Sequence, residues 1–387
     1  MPKVLLLGGR APVTLDHARR FAHLGWTAYV ADSVSCRLAA SSRAVAGAVR
    51  LASPRHAPDD FVRGLRQAIR RWGIELVVPT CEEVFFLSRY RHLLPASVRV
   101  LADDFGLLRS LHSKWDFLQL AQCCGAGVPE AATVDSLEQA REWATGRPVV
   151  LKPEFSRFGV HVRLYPDGIP AEASALPALG RWVVQDFIAG QEFSSYSVAD
   201  KGRVLAHSLY RPAYRLSTSA SFYFEPARID TSRRFVETLV QKTGFTGQIS
   251  FDWMRGADGH LNVLECNPRA TSGCHLFGMD DGLPAALAGL TNTLLEPSAA
   301  RPKMLAPVML SAGLAQAIRK GQLAEWQRDF RGADDVICAP GDCRPLVGGA
   351  MDILAYARMA ATNRSSLREA STQDIEWDGQ ALRDVWA

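Results

Sequence analysis

The chain has 387 residues, of which 48% are hydrophobic and 22% are charged, and its formal net charge is +4. This length exceeds that of one ordinary domain, so two or three modules are expected. The composition is typical of a soluble globular protein, and the small, dispersed positive charge does not indicate nucleic-acid binding.

The eight cysteines form no CxxC pair, and only Cys338 and Cys343 are close in sequence without adjoining. We therefore expect neither a structural zinc site nor a disulfide framework, and a reducing cytoplasm fits this pattern. No apolar run reaches 18 residues, and the short run after Met1 leads directly into a strand–turn–helix pattern. Neither a membrane span nor a signal peptide is predicted.

The start of the chain has the pattern of a β-α-β unit. A short apolar strand, Lys3–Leu7, ends in Gly8-Gly9 and leads into a helix with regularly spaced apolar residues. A second strand, Trp26–Ala31, is followed by Asp32, so a parallel sheet is predicted. A nicotinamide cofactor with Asp32 on its ribose is an alternative, although the glycine pair lacks the spaced second and third glycines of the dinucleotide fingerprint.

The next strand ends in acidic residues. Ile74–Val78 is predicted as a strand, and Val98–Ala102 as the last strand of this module. Thr80 and Glu83 have the spacing of a capping box, which is a sufficient structural role for Glu83. Glu82 has a further interpretation, contact with a substrate amine, because open α/β sheets bind ligands at the carboxyl ends of their strands.

Two lysines occupy positions that local preference does not favour. Ser113 caps a predicted helix that stops at Gly125, so Lys114 takes the first helical position, where the dipole disfavours a cation by ~0.3–1 kcal/mol. Lys152 ends the apolar strand Pro148–Leu151, where a lysine needs an anionic partner or an open end. Both lysines are candidates for contact with an anionic ligand.

Further strands follow the second lysine. Trp182–Ile188 is predicted as a strongly apolar strand, and Phe193–Ala199 with Val204–Leu209 as a strand pair. Arg211 and Arg215 come next, and the planar guanidinium of arginine is suited to bidentate binding of a carboxylate. The alternative is that both are ordinary surface arginines.

The stretch 248–273 predicts a β-hairpin. Gln248–Met254 alternates between apolar and polar residues, Leu261–Asn267 is the returning strand, and Asp258-Gly259 is a turn signal between them. On the returning strand the side chains of every second residue share a face.

The hairpin also predicts which acidic residues meet. We expect Met254 to pair with Leu261. In that register Asp252 lies opposite Val263 and diagonal to Glu265, roughly 7–8 Å away between backbones and within reach of one shared ion.

These strands carry an oxygen-rich set of side chains. The carboxylates of Asp252 and Glu265, with the amide oxygen of Asn267, form a hard site suited to Mg²⁺ rather than to zinc. Pro268 stops the strand, and Arg269 adds a cation for an anionic ligand. The alternative is a polar strand face that points at solvent.

Asp252, followed by Glu265-Cys266-Asn267-Pro268-Arg269, resembles the metal and phosphate signature of the ATP-grasp superfamily. The segment SKWDFLQLAQCCGAGVP, which begins at Ser113, is similar to the opening of that fold. The resemblance implies that the ATP phosphates bind to Lys114, Lys152 and the loop Glu154–His161, which includes Ser156. It implies that adenine contacts Gln185, Asp186, Phe187 and Ile188, and that the ribose binds to Glu192. It also implies that Asp252, Glu265 and Asn267 bind Mg²⁺, or Mn²⁺, and that Arg269 and Asn267 take part in catalysis, with Arg211 facing the acceptor substrate.

The resemblance also implies an α/β architecture in four parts. These are a Rossmann-like domain at 1–105, a lid subdomain at 106–188, a catalytic subdomain at 189–300 and an extension at 301–387 that closes the fold. The polar tail Asn363–Ala387 is expected to be loosely held.

The activity implied is ATP-dependent ligation of a carboxylate to an amine through an acyl phosphate, with release of ADP and phosphate. The expected partners are small molecules, amino acids among them, with no nucleic acid and no membrane, and a homodimer is a further possibility. The alternatives are bicarbonate activation, as in carboxylases and carbamoyl phosphate synthase, and a nucleotide-binding regulatory protein without catalysis.

Overall fold

The computed structural model describes residues 1–156, 161–216, 220–298 and 301–385 of the chain. Its first part is a five-stranded sheet in the order β3-β2-β1-β4-β5, and all of its pairings are parallel, as predicted. The elements are β1 (Lys3–Leu7), α1 (Pro12–His23), β2 (Thr27–Asp32), α2 (Arg37–Ala40), β3 (Val45–Arg50), α3 (Pro58–Trp72), β4 (Leu76–Val78), α4 (Glu83–Tyr90), a 3-10 turn (Arg91–Leu93) and β5 (Arg99–Val100).

Helix α1 shows how the sequence builds this part. Pro12 takes the first helical position, where its missing N–H would have had no partner. Leu15, Ala18 and Phe21 recur at helical spacing and are fully buried in the core that includes the central strands. The β-α-β unit therefore forms through one apolar helix face.

Only one of the two hydrogen bonds of the predicted capping box at the start of α4 is formed, namely the one that the Glu83 side chain accepts. The helix begins at Glu83 itself, so Glu83 is not its third residue. The Glu83 carboxylate accepts from the backbone N–H groups of Thr80, at 2.9 Å, and Cys81, at 3.0 Å. The Thr80 hydroxyl instead donates to the Leu7 carbonyl at 2.9 Å and ties β4 to β1.

The second part is a four-stranded antiparallel sheet in the order β6-β9-β7-β8. Leu151, Trp182 and Val184 form its apolar core with helix residues from one side. The elements are α5 (Phe105–His112), α6 (Lys114–Cys123), β6 (Ala131–Val134), α7 (Leu137–Ala144), β7 (Val149–Pro153), β8 (Arg163–Tyr165) and β9 (Trp182–Asp186).

The third part is a seven-stranded sheet in the order β14-β13-β10-β11-β12-β15-β16. Its last two strands come from residues beyond 300, which therefore extend the sheet. The elements are β10 (Gly190–Asp200), β11 (Arg203–Pro212), β12 (Tyr223–Ala227), α8 (Asp230–Thr243), β13 (Gly247–Gly256), β14 (Leu261–Asn267), a 3-10 turn (Ser272–Leu276), α9 (Leu283–Leu287), β15 (Lys303–Met304), α10 (Ala306–Val308), a π-helical turn (Met309–Gly313), α11 (Leu314–Lys320), α12 (Leu323–Gly332), β16 (Asp334–Asp335), α13 (Arg344–Asn363) and α14 (Leu367–Thr372).

The expectation of a loosely held tail is wrong for the residues up to 385. Trp377 and Val385 are buried in the main apolar core together with Phe85 of the first part. Asp374 forms an ion pair with Arg10 at 2.7 Å. A buried indole and a buried charge pair anchor the tail, although its sequence is mostly polar.

The expectation for the cysteines needs one correction. Cys338 and Cys343 form a disulfide bridge across a short loop in which Ala339 and Asp342 pair with each other. The remaining cysteines are free thiols. Among the helices of the described ranges, none combines the length and the apolar character that a membrane crossing requires.

Candidate active site

The residues predicted to bind metal lie on the hairpin of β13 and β14, but the register differs from the prediction. Asp252 lies directly opposite Glu265 and not diagonal to it. Near the turn Met254 pairs with Asn262, one position from the predicted Leu261, and a β-bulge after Asp252 adds a second position. Trp253 is therefore the residue opposite Val263. A bulge places one extra residue in one strand and changes every later pair by one position. The two carboxylates therefore share a directly facing position.

Asp252 is held by hydrogen bonds from two strands. The Ser194 hydroxyl on β10 donates to Oδ1 at 2.7 Å, and the side-chain amide of Asn267 donates to Oδ2 at 3.2 Å. Burial and the charge of Glu265 raise the pKa of Asp252. A half-buried carboxylate that faces a second one is a position where a bound cation would relieve repulsion.

Glu265 faces two lysines as well as Asp252. Burial acts to raise the pKa of Glu265, but the charges of Lys114 and Lys152 outweigh it and lower the pKa. The Lys152 ammonium donates to the Leu264 carbonyl at 3.1 Å. Burial lowers the pKa of Lys152 to about 8, against the opposing attraction of Glu265. The site therefore combines two carboxylates with two buried cations.

Lys114 is fixed where helix α6 begins. Ser113 caps the helix, as predicted, by accepting from the Asp116 backbone N–H at 3.1 Å. The same hydroxyl donates to Glu154 Oε1 at 2.6 Å, and the Lys114 ammonium donates to the Ser156 carbonyl at 2.9 Å. Burial lowers the pKa of Lys114. Lysines from two different parts of the chain thus meet at one hairpin.

Arg269 lies beside Asn267 at the end of β14. Its Nη2 donates to the Asn267 side-chain oxygen at 3.0 Å, and Asn267 in turn donates to Asp252. Its Nε lies 3.8 Å from a carboxylate oxygen of Glu82, which is completely buried. The end of β4 therefore brings an acidic residue to the site, at the place where Glu82 was considered for contact with a substrate amine.

The predicted adenine hinge lies at the end of β9. Gln185 is buried, and within the described ranges its Oε1 has no hydrogen-bond partner. The backbone N–H groups of Asp186 and Phe187 donate to carbonyls that flank the neighbouring strands. The Asp186 carboxylate pairs with Arg147 at 3.1 Å, and Ile188 is half-buried. Gln185 therefore offers an acceptor there, whereas the two N–H groups are already engaged.

The predicted ribose ligand and the two arginines form ion pairs within the protein. Glu192 on β10 pairs with Arg215, and Arg211 on β11 pairs with Glu225 on β12. The side chains of Glu192 and Arg211 are each 44% exposed. Arg215 also feels the charge of Asp252, which opposes the lowering of its pKa by burial. Arg215 thus lies on the side of Glu192 and the hairpin, and Arg211 does not join that cluster.

The loop Glu154–His161 is described only in part, because residues 157–160 lie outside the described ranges. The role predicted for it therefore stays a prediction. The part that is described is well anchored: Glu154 pairs with Arg181 at 2.9 Å, and the Ser156 carbonyl accepts from Lys114.

The alternative of a nicotinamide on Asp32 is not supported. Arg10 donates to Asp32 through its backbone N–H at 2.8 Å and its Nε at 3.0 Å. Asp374 pairs with the same guanidinium at 2.7 Å. The Asp32 carboxylate is buried in this network. Arg10 already binds the Asp32 carboxylate at the position where a ribose would have to bind.

His275 belongs to a separate cluster. Its Nδ1 lies 3.0 Å from a carboxylate oxygen of Asp16, and Cys274 lies close enough that the three groups could hold a metal ion. Arg20, however, pairs with Asp16 at 3.1 Å and donates to the Phe277 carbonyl. The guanidinium already balances the carboxylate, so this cluster joins α1 to the loop after β14.

Ser194 was missed in the sequence, and Glu154 was placed in the phosphate loop without its contact to the start of α6. Ser194 supports Asp252 from the neighbouring strand, and Glu154 supports the start of α6. Neither carries a sequence signal, because each acts through a partner that only the strand order brings near. Glu154 was named only as the start of the loop, and its hydrogen bond with Ser113 could not be predicted from its position two residues after Lys152.

The arrangement as a whole can bind a polyanion together with a hard cation. The paired carboxylates and the Asn267 amide are oxygen ligands of the kind that Mg²⁺ prefers. Lys114, Lys152 and Arg269 surround them with positive charge in a largely buried position. Such groups stabilise charge on a transferring phosphoryl group better than they would in water.

The fold agrees with the ATP-grasp architecture that the sequence predicted. The particular solved structures it resembles include N5-carboxyaminoimidazole synthetase from Staphylococcus aureus, with a TM-score of 0.59 and 15% identity over 78% of this chain and 80% of that one. They also include biotin carboxylase from Campylobacter jejuni, with a TM-score of 0.60 and 14% identity over 74% and 70% of the two chains. A third is L-amino acid ligase from Bacillus licheniformis, with a TM-score of 0.56 and 17% identity over 74% of each chain.

No family model matches the sequence, and no curated protein matches it. The likeness is therefore one of structure at low sequence identity, and it establishes the fold.

Proposed function

We propose that the protein is an ATP-dependent ligase that joins a small-molecule carboxylate to an amine and releases ADP and phosphate. The observation that carries this proposal is the facing pair Asp252 and Glu265, enclosed by Lys114 and Lys152. Two of the similar structures support ATP as the nucleotide, since the synthetase was solved with ADP and the carboxylase with a β-γ-ATP complex.

Asp252, Glu265 and Asn267 would hold Mg²⁺, with Mn²⁺ as an alternative. The fit rests on the donor set, which consists of oxygens and includes two half-buried carboxylates that face each other. When bound, the ion supplies charge neutralisation for the ATP phosphates. Asn267 now donates to Asp252 and accepts from Arg269, so it would orient both neighbours even before it contacts the ion.

The remaining residues bind and orient the nucleotide. Lys114 and Lys152 would bind phosphate oxygens as point charges. Gln185 would accept from the adenine amino group, since its buried oxygen has no partner within the described ranges. Ile188 would pack on the base, and Glu192 would accept from the ribose hydroxyls after release from Arg215.

The proposed chemistry has two steps. A carboxylate oxygen of the substrate attacks the γ-phosphorus, the bond to the β,γ-bridging oxygen breaks, and ADP leaves. The amine then attacks the acyl carbon, its proton is lost, and phosphate leaves with the former carboxylate oxygen. Lys152, Lys114 and Arg269 would stabilise the charge on the phosphoryl group during transfer. Arg211 is proposed to bind the acceptor substrate as an anion.

A second candidate function is bicarbonate activation. The observation that favours it is the structural likeness to a biotin carboxylase, which is about as close as the likeness to the amino acid ligase. Bicarbonate would then take the place of the organic carboxylate at the same phosphate site. A nucleotide-binding protein without catalysis is the third candidate, and it would bind ATP without releasing phosphate.

The test is a screen of amino acids and small acids, alone and with bicarbonate, for ATP-dependent phosphate release. A carboxylate labelled with heavy oxygen should deliver one labelled atom to the released phosphate. Labelled bicarbonate as the only source of label in phosphate would establish the second candidate. AMP as the product, or unlabelled phosphate in every case, would contradict the acyl-phosphate route.

The homodimer remains a prediction. Light scattering of the purified protein with and without ATP and Mg²⁺ would decide it directly.

A further inference from the structure

The segment 374–385 crosses from the first sheet to the phosphate side of the candidate site. At its start, Asp374 accepts from Arg10 at 2.7 Å and pairs with the Ser33 hydroxyl. The Asp374 carbonyl accepts from Ser53 at 2.6 Å, and the Glu376 carbonyl accepts from Arg55 at 3.1 Å. One end of the segment is therefore fixed to the carboxyl edge of the parallel sheet.

Trp377 is the centre of the segment. It is buried, and its ring lies 5.1 Å from Phe85, 5.3 Å from Phe105 and 5.1 Å from Phe155, between ring centroids. Its indole N–H donates to the Gln380 carbonyl at 2.9 Å, which fixes the orientation of the ring. Tilted and edge-on aromatic contacts at these distances stabilise one relative arrangement of the rings.

Trp377 and Gly379 of this segment cover one side of the Phe155 ring. Gly379 lies so close that an added Cβ would come within 2.5 Å of the Phe155 ring, and its φ of +91° is a conformation that favours glycine. Trp377 and Gly379 together leave Phe155 little room to move.

Phe155 lies between two residues that hold Lys114. The Glu154 carbonyl accepts from the Lys114 backbone N–H at 3.2 Å. The Ser156 carbonyl accepts from the Lys114 ammonium at 2.9 Å. A shift of Phe155 would move both acceptors, and with them the position of the lysine charge.

We propose that segment 374–385 positions Lys114 for ATP, with Trp377 as the positioning residue that acts through Phe155. This inference rests on the proposed function, because it needs Lys114 to contact the nucleotide. Misplacement of a binding group by about 1 Å is enough to cost a large factor in a site of fixed geometry. Loss of Trp377 should therefore weaken ATP binding about tenfold, and the acceptor substrate should bind as before.

The experiment is a double-mutant cycle on ATP affinity. The dissociation constant of ATP with Mg²⁺ is measured by calorimetry for the wild type, Trp377→Ala, Lys114→Ala and the double variant. We expect the tenfold loss from Trp377→Ala to disappear in the Lys114→Ala background. Trp377→Phe should restore most of the affinity, because a second aromatic ring can still pack on Phe155.

A control separates positioning from general destabilisation. Trp326 is partly buried, stacks on Phe330 and donates to the Met309 carbonyl, all in a different cluster. Trp326→Ala should lower the melting temperature without a change in ATP affinity. If Trp377→Ala fails to fold, Gly379→Ala decides, because its methyl group presses on Phe155 while the indole remains.

Two outcomes would overturn the proposal: unchanged ATP affinity in both folded variants, or an equal loss with and without Lys114. Failure of the proposed function is a different result, since the wild type itself would then show no ATP binding or no phosphate release.

Discussion

The proposed phosphate end of the candidate site, around Asp252 and Glu265, and the proposed ribose end, around Glu192, differ in how complete they are without a ligand. At the phosphate end, Asp252 and Glu265 already face each other, and Lys114 and Lys152 are buried beside them. At the ribose end, Glu192 is partly exposed and is paired with Arg215 of the same chain.

This difference predicts two kinds of binding. Groups that are buried and fixed cost little free energy to organise when the ligand binds. Removal of such a group should therefore lower the binding free energy by the whole contribution of that group. A partly exposed ion pair must first be broken, and its strength in solvent is modest. The phosphate end should therefore dominate affinity and turnover, and the ribose end should adjust them.

The largest effect is expected for Glu265→Gln, which keeps the shape of the side chain and removes its charge. Phosphate release should fall by roughly 100-fold or more, because the ion and the transferring phosphoryl group lose a fixed partner. Steady-state assays over a range of Mg²⁺ concentrations would measure it. Asp258→Asn, on the exposed turn of the same hairpin, is the matched control and should keep normal turnover. Near-normal turnover of Glu265→Gln at low Mg²⁺ would remove this residue from the site.

Lys152→Ala should come second. A hydrogen bond to a charged group contributes about 1.5–3 kcal/mol, so ATP affinity should fall by roughly 10- to 100-fold. Calorimetric titration with ATP and Mg²⁺ would show this, and NAD should give no binding in either protein. Lys201→Ala, in the exposed turn between β10 and β11, is the control. An unchanged affinity in folded Lys152→Ala would leave this lysine a structural role only.

The pH dependence of ATP affinity should sharpen the same point. Burial lowers the pKa of Lys152 to about 8, so in the free protein its positive charge is present below pH 8 and is lost as the pH rises through 8. ATP affinity should weaken above pH 8, by at most about tenfold per pH unit. Lys152→Arg keeps its charge and should flatten the profile between pH 8 and 9.5. A wild-type profile as flat as that of the variant would contradict the assignment.

At the ribose end, Glu192→Ala should raise the KM for ATP only a few-fold. The new ribose contact replaces an ion pair with Arg215 that must first be broken. Comparing the KM for ATP with the KM for 2′-deoxy-ATP would test the contact between Glu192 and the ribose. Wild type should discriminate between the two nucleotides and Glu192→Ala should not. A 100-fold effect would erase the contrast between the two ends.

The smallest effect on nucleotide binding is expected for Arg211→Ala. Its side chain is paired with Glu225 and does not join the hairpin cluster, so ATP affinity should be unchanged. Stability should change by about 0.5 kcal/mol or less, as for other surface positions. The KM for the acceptor substrate should rise several-fold if Arg211 binds it. Glu225→Gln serves as the companion variant, since it frees the arginine and should not raise that KM.

Much of the architecture could be predicted because short periodic signals determine it. The β-α-β start, the hairpin and the cap at Ser113 follow from apolar spacing and from turn and cap residues. The meeting of Lys114 and Lys152 at Glu265 followed from the resemblance, since their separation along the chain hides it.

Other features depend on contacts that no local pattern records. The pairing at the turn and the bulge after Asp252 each change the register by one residue, and the sequence carries no signal for the bulge. Arg211 looked free in the sequence because Glu225 reaches it only through the pairing of β11 with β12. The tail after Asn363 was expected to be loosely held because its sequence is mostly polar. The few residues that anchor it, Trp377 above all, are far apart in sequence from their partners.

The ion pair between Arg10 and Asp374 joins residues that are 364 positions apart. At translation rates of about 5–20 residues per second, Asp374 leaves the ribosome roughly 20–70 s after Arg10. During that interval Asp32 is the partner available to the arginine, and the edge of the first sheet lacks the segment that covers it. The edge of the first sheet in the nascent chain thus stays exposed to solvent and to chaperones until residue 374 has been synthesised. If the ribosome stalls before residue 374, this edge remains uncovered.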